Sequence, residues 1–189
     1  MAEVSFPEAG LTDGIVGLRL MQEADVAAVS AACQDPEIQR WTTVPSPYSE
    51  RDARDWMRSS RAEFDAGAGV HALIIASSPA GGEEVVGAVG VSAIDPFTRR
   101  CQGGYWIAAP ARGSGYAARA LVLLAEFAFD ALGVARIELW IEPLNTGSRA
   151  AAERAGFRRE GLMRSFMPIS GERRDMLMYA LLPSGGGRH

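Results

Sequence analysis

A single α/β (α+β) domain, with a mixed, mostly antiparallel sheet of six to seven strands flanked by helices, is predicted by three observations. Residues 70–76, 85–94 and 101–108 read as successive strands with short connections, which makes an antiparallel meander. Across residues 102–129 an apolar strand feeds a glycine-rich turn that opens directly into an amphipathic helix, and a further strand follows. The 189 residues, 48% hydrophobic and 22% charged, suit one domain with a full core rather than two domains or a disordered chain.

Taken in order, residues 1–14 carry Gly, Pro and Asp without periodicity and are expected as a flexible arm; residues 15–183 form the domain. Residues 15–20 read as the first strand. Glu23, Ala24 and Asp25 then open a helix in which Val26, Val29 and Cys33 share a face. Asp35-Pro36 punctuates it and caps a short turn toward Ile38 and Trp41. Pro45-Ser46-Pro47-Tyr48 is a rigid loop, after which Ser49 with Asp52 three residues on marks a helix start. That helix runs to about Phe64, with sparse apolar anchors at Ala53, Trp56 and Met57. It is expected at an edge, either as a surface helix or as the wall of a substrate groove.

The turn Ser77-Ser78-Pro79-Ala80-Gly81-Gly82 joins the first two meander strands as a hairpin. After the third strand, Leu121, Leu124, Ala128 and Leu132 form one stripe on the helix. Residues 136–142 alternate between a charged or amphipathic face and an aliphatic one, as a strand does. Pro143 ends it, Asn145 and Thr146 start another helix, and Gly156 stops that helix. Strands at 157–163 and 175–182 complete the fold, and residues 184–189 are expected as a flexible tail.

The totals exclude several functions. A net charge of −4 and a pI near 5.3 give no global basic field, so nucleic acid is not an expected partner. No apolar run reaches the ~20 residues of a membrane span, and no secretory signal opens the chain, so the expected compartment is the cytoplasm and no membrane partner is expected. Cys33 and Cys101 lack Cys-x-x-Cys spacing and read as small core residues. All 19 basic residues are arginine, which removes the Walker A lysine and the lysine that pyridoxal-phosphate enzymes, Schiff-base aldolases and lysine-tethered carriers need. His71 alone lies inside the chain, in an apolar run that reads as structural, and no metal site is expected.

The glycine turn, Arg112-Gly113-Ser114-Gly115-Tyr116-Ala117, reads as a phosphate cradle. Gly113 and Gly115 allow positive φ and leave no Cβ in the way, so backbone N–H groups can converge on an anion at the helix's positive end. Arg112 adds a cation at the mouth. Three ligand classes compete. Gly113 through Ala118 fits the dinucleotide pattern G-x-G-x-x-A, with Glu138 near the ribose-acid position, but too few residues follow for a two-half dinucleotide fold. A non-catalytic acyl-CoA-binding or sensor module is the second. Acyl transfer from coenzyme A is the third.

The order of motifs favours the third and leaves the second as the alternative. Arg112, Gly115 and Ala117 meet the Arg/Gln-x-x-Gly-x-Gly/Ala pattern, and Asn145, Ser148 and Ala155-Gly156-Phe157 follow at the next strand and helix. With the early Gly17-Leu18-Arg19 and the late Arg174-Asp175, the chain from Ile15 to Leu182 resembles the GNAT superfamily of N-acetyltransferases, in its RimJ/RimL-type ribosomal-protein N-terminal branch.

The resemblance implies acetyl-CoA as acetyl donor and direct attack of a primary amine, either a protein N-terminus or a small amine. It leaves a homo-oligomer open. It implies that a backbone N–H among Ile107, Ala108 and Ala109 meets the thioester oxygen, and that the pyrophosphate rests on Arg112, Gly113, Ser114, Gly115, Tyr116 and Ala117. Asn145 would bond the pantetheine arm or act as an ordinary cap, and Arg149, with Arg119 and Arg154, would reach the 3′-phosphate or stay solvated. Many relatives protonate the leaving thiolate with a tyrosine where Ala152 stands, so that role passes to Ser148. Some carry a glutamate where Trp140 stands, which leaves Glu138, Glu142 and Glu160 to take the amine's proton, Glu142 foremost.

Overall fold

The computed structural model describes residues 5–77, 81–169 and 171–183. Strands β1 (Leu11–Thr12), β2 (Val16–Arg19), β3 (Val70–Ser77), β4 (Glu83–Ser92), β5 (Arg100–Ile107), β6 (Arg136–Ile141), β7 (Arg158–Ile169) and β8 (Glu172–Leu181) form one open sheet, in the order β1-β2-β3-β4-β5-β6-β8-β7. Every neighbouring pair is antiparallel except β5 with β6. The helices are α1 (Val26–Ala32), α2 (Pro36–Trp41), α3 (Glu50–Asp65), α4 (Tyr116–Asp130) and α5 (Thr146–Arg154). The one parallel pair follows from connection length, because β5 returns to β6 through the whole of α4.

The strand period sorts the core into two layers. On β3, Val70, Ala72, Ile74 and Ala76 join Leu121, Leu124 and Ala128 of α4 beneath one face. Leu73 and Ile75 point to the other face, against Val26 and Val29 of α1 and Ala53 of α3. Leu73 and Ile74 are both fully buried, and each such burial contributes about 1.5–3 kcal/mol. Because β3 is covered on both faces, its sequence is a continuous apolar run.

Eight strands, rather than six to seven, make the sheet among the described residues. The additional strand lies in the segment expected as a loose arm: Leu11 and Thr12 pair with Leu18 and Gly17. Asp13 closes the turn by accepting the Ile15 and Val16 N–H groups, each at 2.9 Å. Phe6 is buried edge-on against Phe127, with ring centroids 5.1 Å apart. Two residues give no readable alternation, which is why β1 is silent in the sequence. The tail at 184–189 and the Ser78–Ala80 part of the hairpin turn lie outside the described residues.

The terminal hairpin is longer than expected, reaching Ile169 and Glu172. Its strand signal is hidden by a bulge: pairing with β8 jumps between Met163 and Met167, and Ser165 takes a φ of 51°. The Ser165 N–H donates to Asp175 at 2.7 Å, which holds the bulge. Among the described residues no helix is long and apolar enough to cross a membrane.

Candidate active site

The parallel pairing of β5 with β6 stops at Gly103 and Leu139, so the two strands separate beyond that point while β5 stays paired with β4 as far as Ile107. A wedge opens in the middle of the sheet, and a continuous cleft of about 1180 Å³ passes through it. Tyr105, Trp106 and Ile107 line one wall, and Trp140, Ile141 and Glu142 the other.

Ladder geometry fixes which backbone donors face the wedge. The Ala108 N–H donates to the Val86 carbonyl at 2.9 Å. By the two-residue alternation of a strand, the Tyr105 and Ile107 N–H groups therefore point away from β4 and into the gap. The Ile107 carbonyl, on that same side, accepts from Arg112 Nε at 3.2 Å. Of the three expected donors Ile107 alone fits: Ala108 is committed to Val86, and the exposed Ala109 sits in a 3₁₀ turn beyond the strand. Neither alanine lines the cleft.

The glycine turn meets this wedge at the start of α4. Gly113 and Gly115 have φ of 82° and 79°, and Gly115 is the helix's N-cap. The first intrahelical bond runs from the Arg119 N–H to the Gly115 carbonyl. Within the helix, then, the Tyr116, Ala117 and Ala118 N–H groups have no partner and point out of its positive end. A Cβ on either glycine would meet no protein atom within 4 Å, so the space before those donors is open.

Charge at the turn differs from expectation. The Arg112 guanidinium pairs with Asp35, the N-cap of α2. Arg119 is held by Asp13 at 2.7 Å. Burial works to raise the Asp13 carboxyl, but the Val16 N–H, Arg119 and the Ile15 N–H overcome it and hold it at about 2. Arg149 donates to the Pro143 carbonyl, and neither it nor Ser114 lines the cleft, whereas Arg154 does.

Helix α5 begins in the wedge. The Asn145 side-chain oxygen accepts the Ser148 N–H at 3.0 Å, the bond of an N-cap, and this sets Ser148 in the first turn facing the cleft. The Ser148 hydroxyl lies 2.6 Å from the Tyr105 hydroxyl, which also donates to the Ser148 carbonyl at 3.0 Å. Burial pushes the Tyr105 phenol up to about 12, against the lowering effect of its bond to Ser148. Sequence reasoning missed Tyr105, because the contact joins residues 43 apart and no local pattern announces it.

The carboxylates separate clearly. Glu138 shares a strand face with Arg136 and accepts from its Nε at 2.8 Å, while the rest of that guanidinium grips Glu160 at 3.0 and 2.6 Å. Neither glutamate lines the cleft, which removes both from the set of proton acceptors. Glu142 does line it: one oxygen lies 3.4 Å from Arg174, and the other is buried without a partner. Such an orphan acceptor costs about 1–3 kcal/mol unless water or a ligand satisfies it.

The far part of the cleft is aromatic and acidic. Glu37 and Trp41 of α2 line it, as do Asp52, Asp55, Trp56 and Ser59, which fall on one face of α3. Helix α3 is therefore a cleft wall, the second of its two expected placements. Trp140 packs edge-on against Phe166 of the β7 bulge, 4.8 Å between centroids. His71 also lines this part, with Nε2 3.0 Å from Glu63.

A family model described as Acetyltransferase (GNAT) domain matches residues 16–158. An N-acetyltransferase of Bacillus licheniformis, p20, is 28% identical over 167 residues, 87% of this chain and 91% of its own. RimJ of Mycobacterium smegmatis, solved in complex with CoA-disulfide, is 28% identical with a TM-score of 0.79, covering 92% of this chain and 84% of that one. RimL, a ribosomal alpha-N-protein acetyltransferase solved with coenzyme A, shares the fold at 23% identity and a TM-score of 0.79, covering 90% and 94%.

Proposed function

The chain belongs to the GNAT acetyltransferase family, and from that premise we propose that it acetylates the α-amine of a protein N-terminus presented in the wedge between β5 and β6. It is an acetyl-CoA-dependent N-acetyltransferase. The observation that carries the reading is convergence: the Ile107 N–H is aimed into the wedge, and Ile107, Ser148 and Glu142 all line one cleft that begins at the open N-terminus of α4.

In this reading the pyrophosphate rests on the Tyr116, Ala117 and Ala118 N–H groups, with Gly113 and Gly115 giving access. The thioester lies in the wedge with its oxygen toward the Ile107 N–H, which stabilises charge as the amine attacks. Ser148 gives a proton to the departing sulfur, and Glu142 takes the amine's proton through water. Asn145 holds the start of α5, and with it Ser148, in place. The two thiols, Cys33 and Cys101, are buried and pushed to about 12, as suits unreactive core residues; the proposed compartment is the cytoplasm.

Two observations support a peptide acceptor. The cleft runs on past the wedge between α2 and α3, with room beyond a single amine, and the similar proteins include RimJ and the alpha-N-protein enzyme RimL. A second reading, a small cationic amine, draws on Glu37, Asp52 and Asp55 along the same walls. Thiol release from acetyl-CoA, with mass analysis of the product, separates them. Short N-terminal peptides are expected to exceed diamines, amino acids and aminoglycosides by at least ~10-fold in kcat/KM, about 1.4 kcal/mol of transition-state binding. A preference for small amines would transfer the assignment to the second reading.

A further inference from the structure

We propose that Tyr105 is a positioning residue for the acetyl transfer, aiming the Ser148 hydroxyl at the leaving sulfur and refilling it with a proton; this rests on Ser148 being the donor to the thiolate. The two side chains come from different layers of the fold, one from β5 and one from the first turn of α5, and both line the cleft. Tyr105 Oη lies 2.6 Å from Ser148 Oγ and 3.0 Å from the Ser148 carbonyl oxygen.

The phenol has one proton and two acceptors within reach, so the pair has two arrangements. In the first, Ser148 donates to Tyr105 and Tyr105 donates to the Ser148 carbonyl, so that no proton faces the cleft. In the second, Tyr105 donates to Ser148 Oγ, and the serine proton turns outward to the cleft. The backbone of Ser148 is already fixed by Asn145, whose oxygen holds its N–H at 3.0 Å. Only the hydroxyl rotor remains free, and Tyr105 controls it.

Proton affinity favours the same arrangement. An aliphatic hydroxyl gives up its proton far less readily than a phenol does, so a serine acting alone would be left as a high-energy alkoxide. The Tyr105 phenol, at about 12, is the better holder of the charge. As the N–C bond forms and the C–S bond breaks, the electron pair leaves on sulfur. The Ser148 proton goes to the sulfur, the Tyr105 proton goes to Ser148 Oγ, and the proton shed by the acceptor nitrogen, first taken by Glu142, passes on through water to restore Tyr105 and the Glu142 carboxylate. Nothing is oxidised or reduced.

The test compares Tyr105→Phe, Ser148→Ala and the double variant in the full-length protein with acetyl-CoA and the best acceptor. Tyr105→Phe is expected to lower kcat ~10-fold, a fraction of the ~10²–10⁴ of a general acid, with the KM for acetyl-CoA within about twofold of wild type. Rates in mixtures of light and heavy water should curve for wild type, reporting two protons in flight, and become linear for Tyr105→Phe. On the Ser148→Ala background, the tyrosine change should cost no more than about twofold, because the two act as a unit.

Wild-type kcat and an unchanged curve in Tyr105→Phe, or an undiminished loss on the Ser148→Ala background, would overturn the inference while leaving Ser148 as donor. Wild-type kcat in Ser148→Ala itself would remove the donor assignment and the inference together. If Tyr105→Phe fails to fold, fluorotyrosine at position 105 keeps the ring and lowers the phenol's pKa. The alkaline limb of the kcat profile should then move to lower pH, and an unmoved limb would overturn the proposal.

Discussion

Gly115→Val is expected to weaken acetyl-CoA binding by on the order of 10²–10⁴-fold while the protein still folds. Two effects combine. The residue caps α4 at a φ of 79°, where a side chain costs roughly 1–2 kcal/mol and a β-branched one fits worst. That part of the effect falls on stability and lowers Tm by a few degrees. The larger part falls on the ligand. The valine side chain would project into the open space before the Tyr116, Ala117 and Ala118 N–H groups, where no protein atom lies within 4 Å of a Cβ. Each hydrogen bond to a charged group is worth about 1.5–3 kcal/mol, so the loss of two accounts for the expected factor. Gly115→Ala, with only the Cβ added, should fall between. Calorimetric titration with acetyl-CoA reads the effect directly, and wild-type affinity in Gly115→Val would mean that the phosphates lie elsewhere.

Ser148→Ala should lower kcat by about 10²–10⁴-fold with little change in acetyl-CoA affinity. The separation follows from which atoms of Ser148 do what. Its N–H, not its hydroxyl, donates to the Asn145 cap oxygen, so the start of α5 survives the substitution. Alanine is also the stronger helix former. What is lost is Oγ, the cleft-facing hydroxyl bonded to Tyr105. Turnover and titration measured on the same sample test this, and an unchanged kcat would take Ser148 out of the chemistry.

What the sequence made legible was local. The glycine turn, the Asn145 cap, the Ser49 and Asp52 capping box and the Gly156-Phe157 helix stop each depend on residues within a few positions of one another, and each lies where its residue types require. The meander and the crossover helix were readable for the same reason, through the periods of their apolar residues. The resemblance supplied the order of these pieces, and hence acetyl transfer.

What escaped was set by pairing across the chain. Arg112 seemed a free cation until α2 brought Asp35 to it from 77 positions away, and Arg119 is held by Asp13 from 106 away. Glu138 looked available on its strand face, yet Arg136 two residues before it occupies the same face and joins it to Glu160. The wedge itself depends on where β5 and β6 part, a tertiary register with no counterpart in either strand's own sequence.

The most direct measurement mixes the wild-type protein with acetyl-labelled acetyl-CoA, with and without an amine acceptor, and follows free thiol and protein-bound label together. Direct attack in the wedge predicts that thiol appears only when the amine is present, that label passes to the amine, and that none accumulates on the protein. Label held stoichiometrically by the protein in the absence of amine would contradict direct transfer, and bound acetyl-CoA that reacts with no amine would contradict catalysis itself.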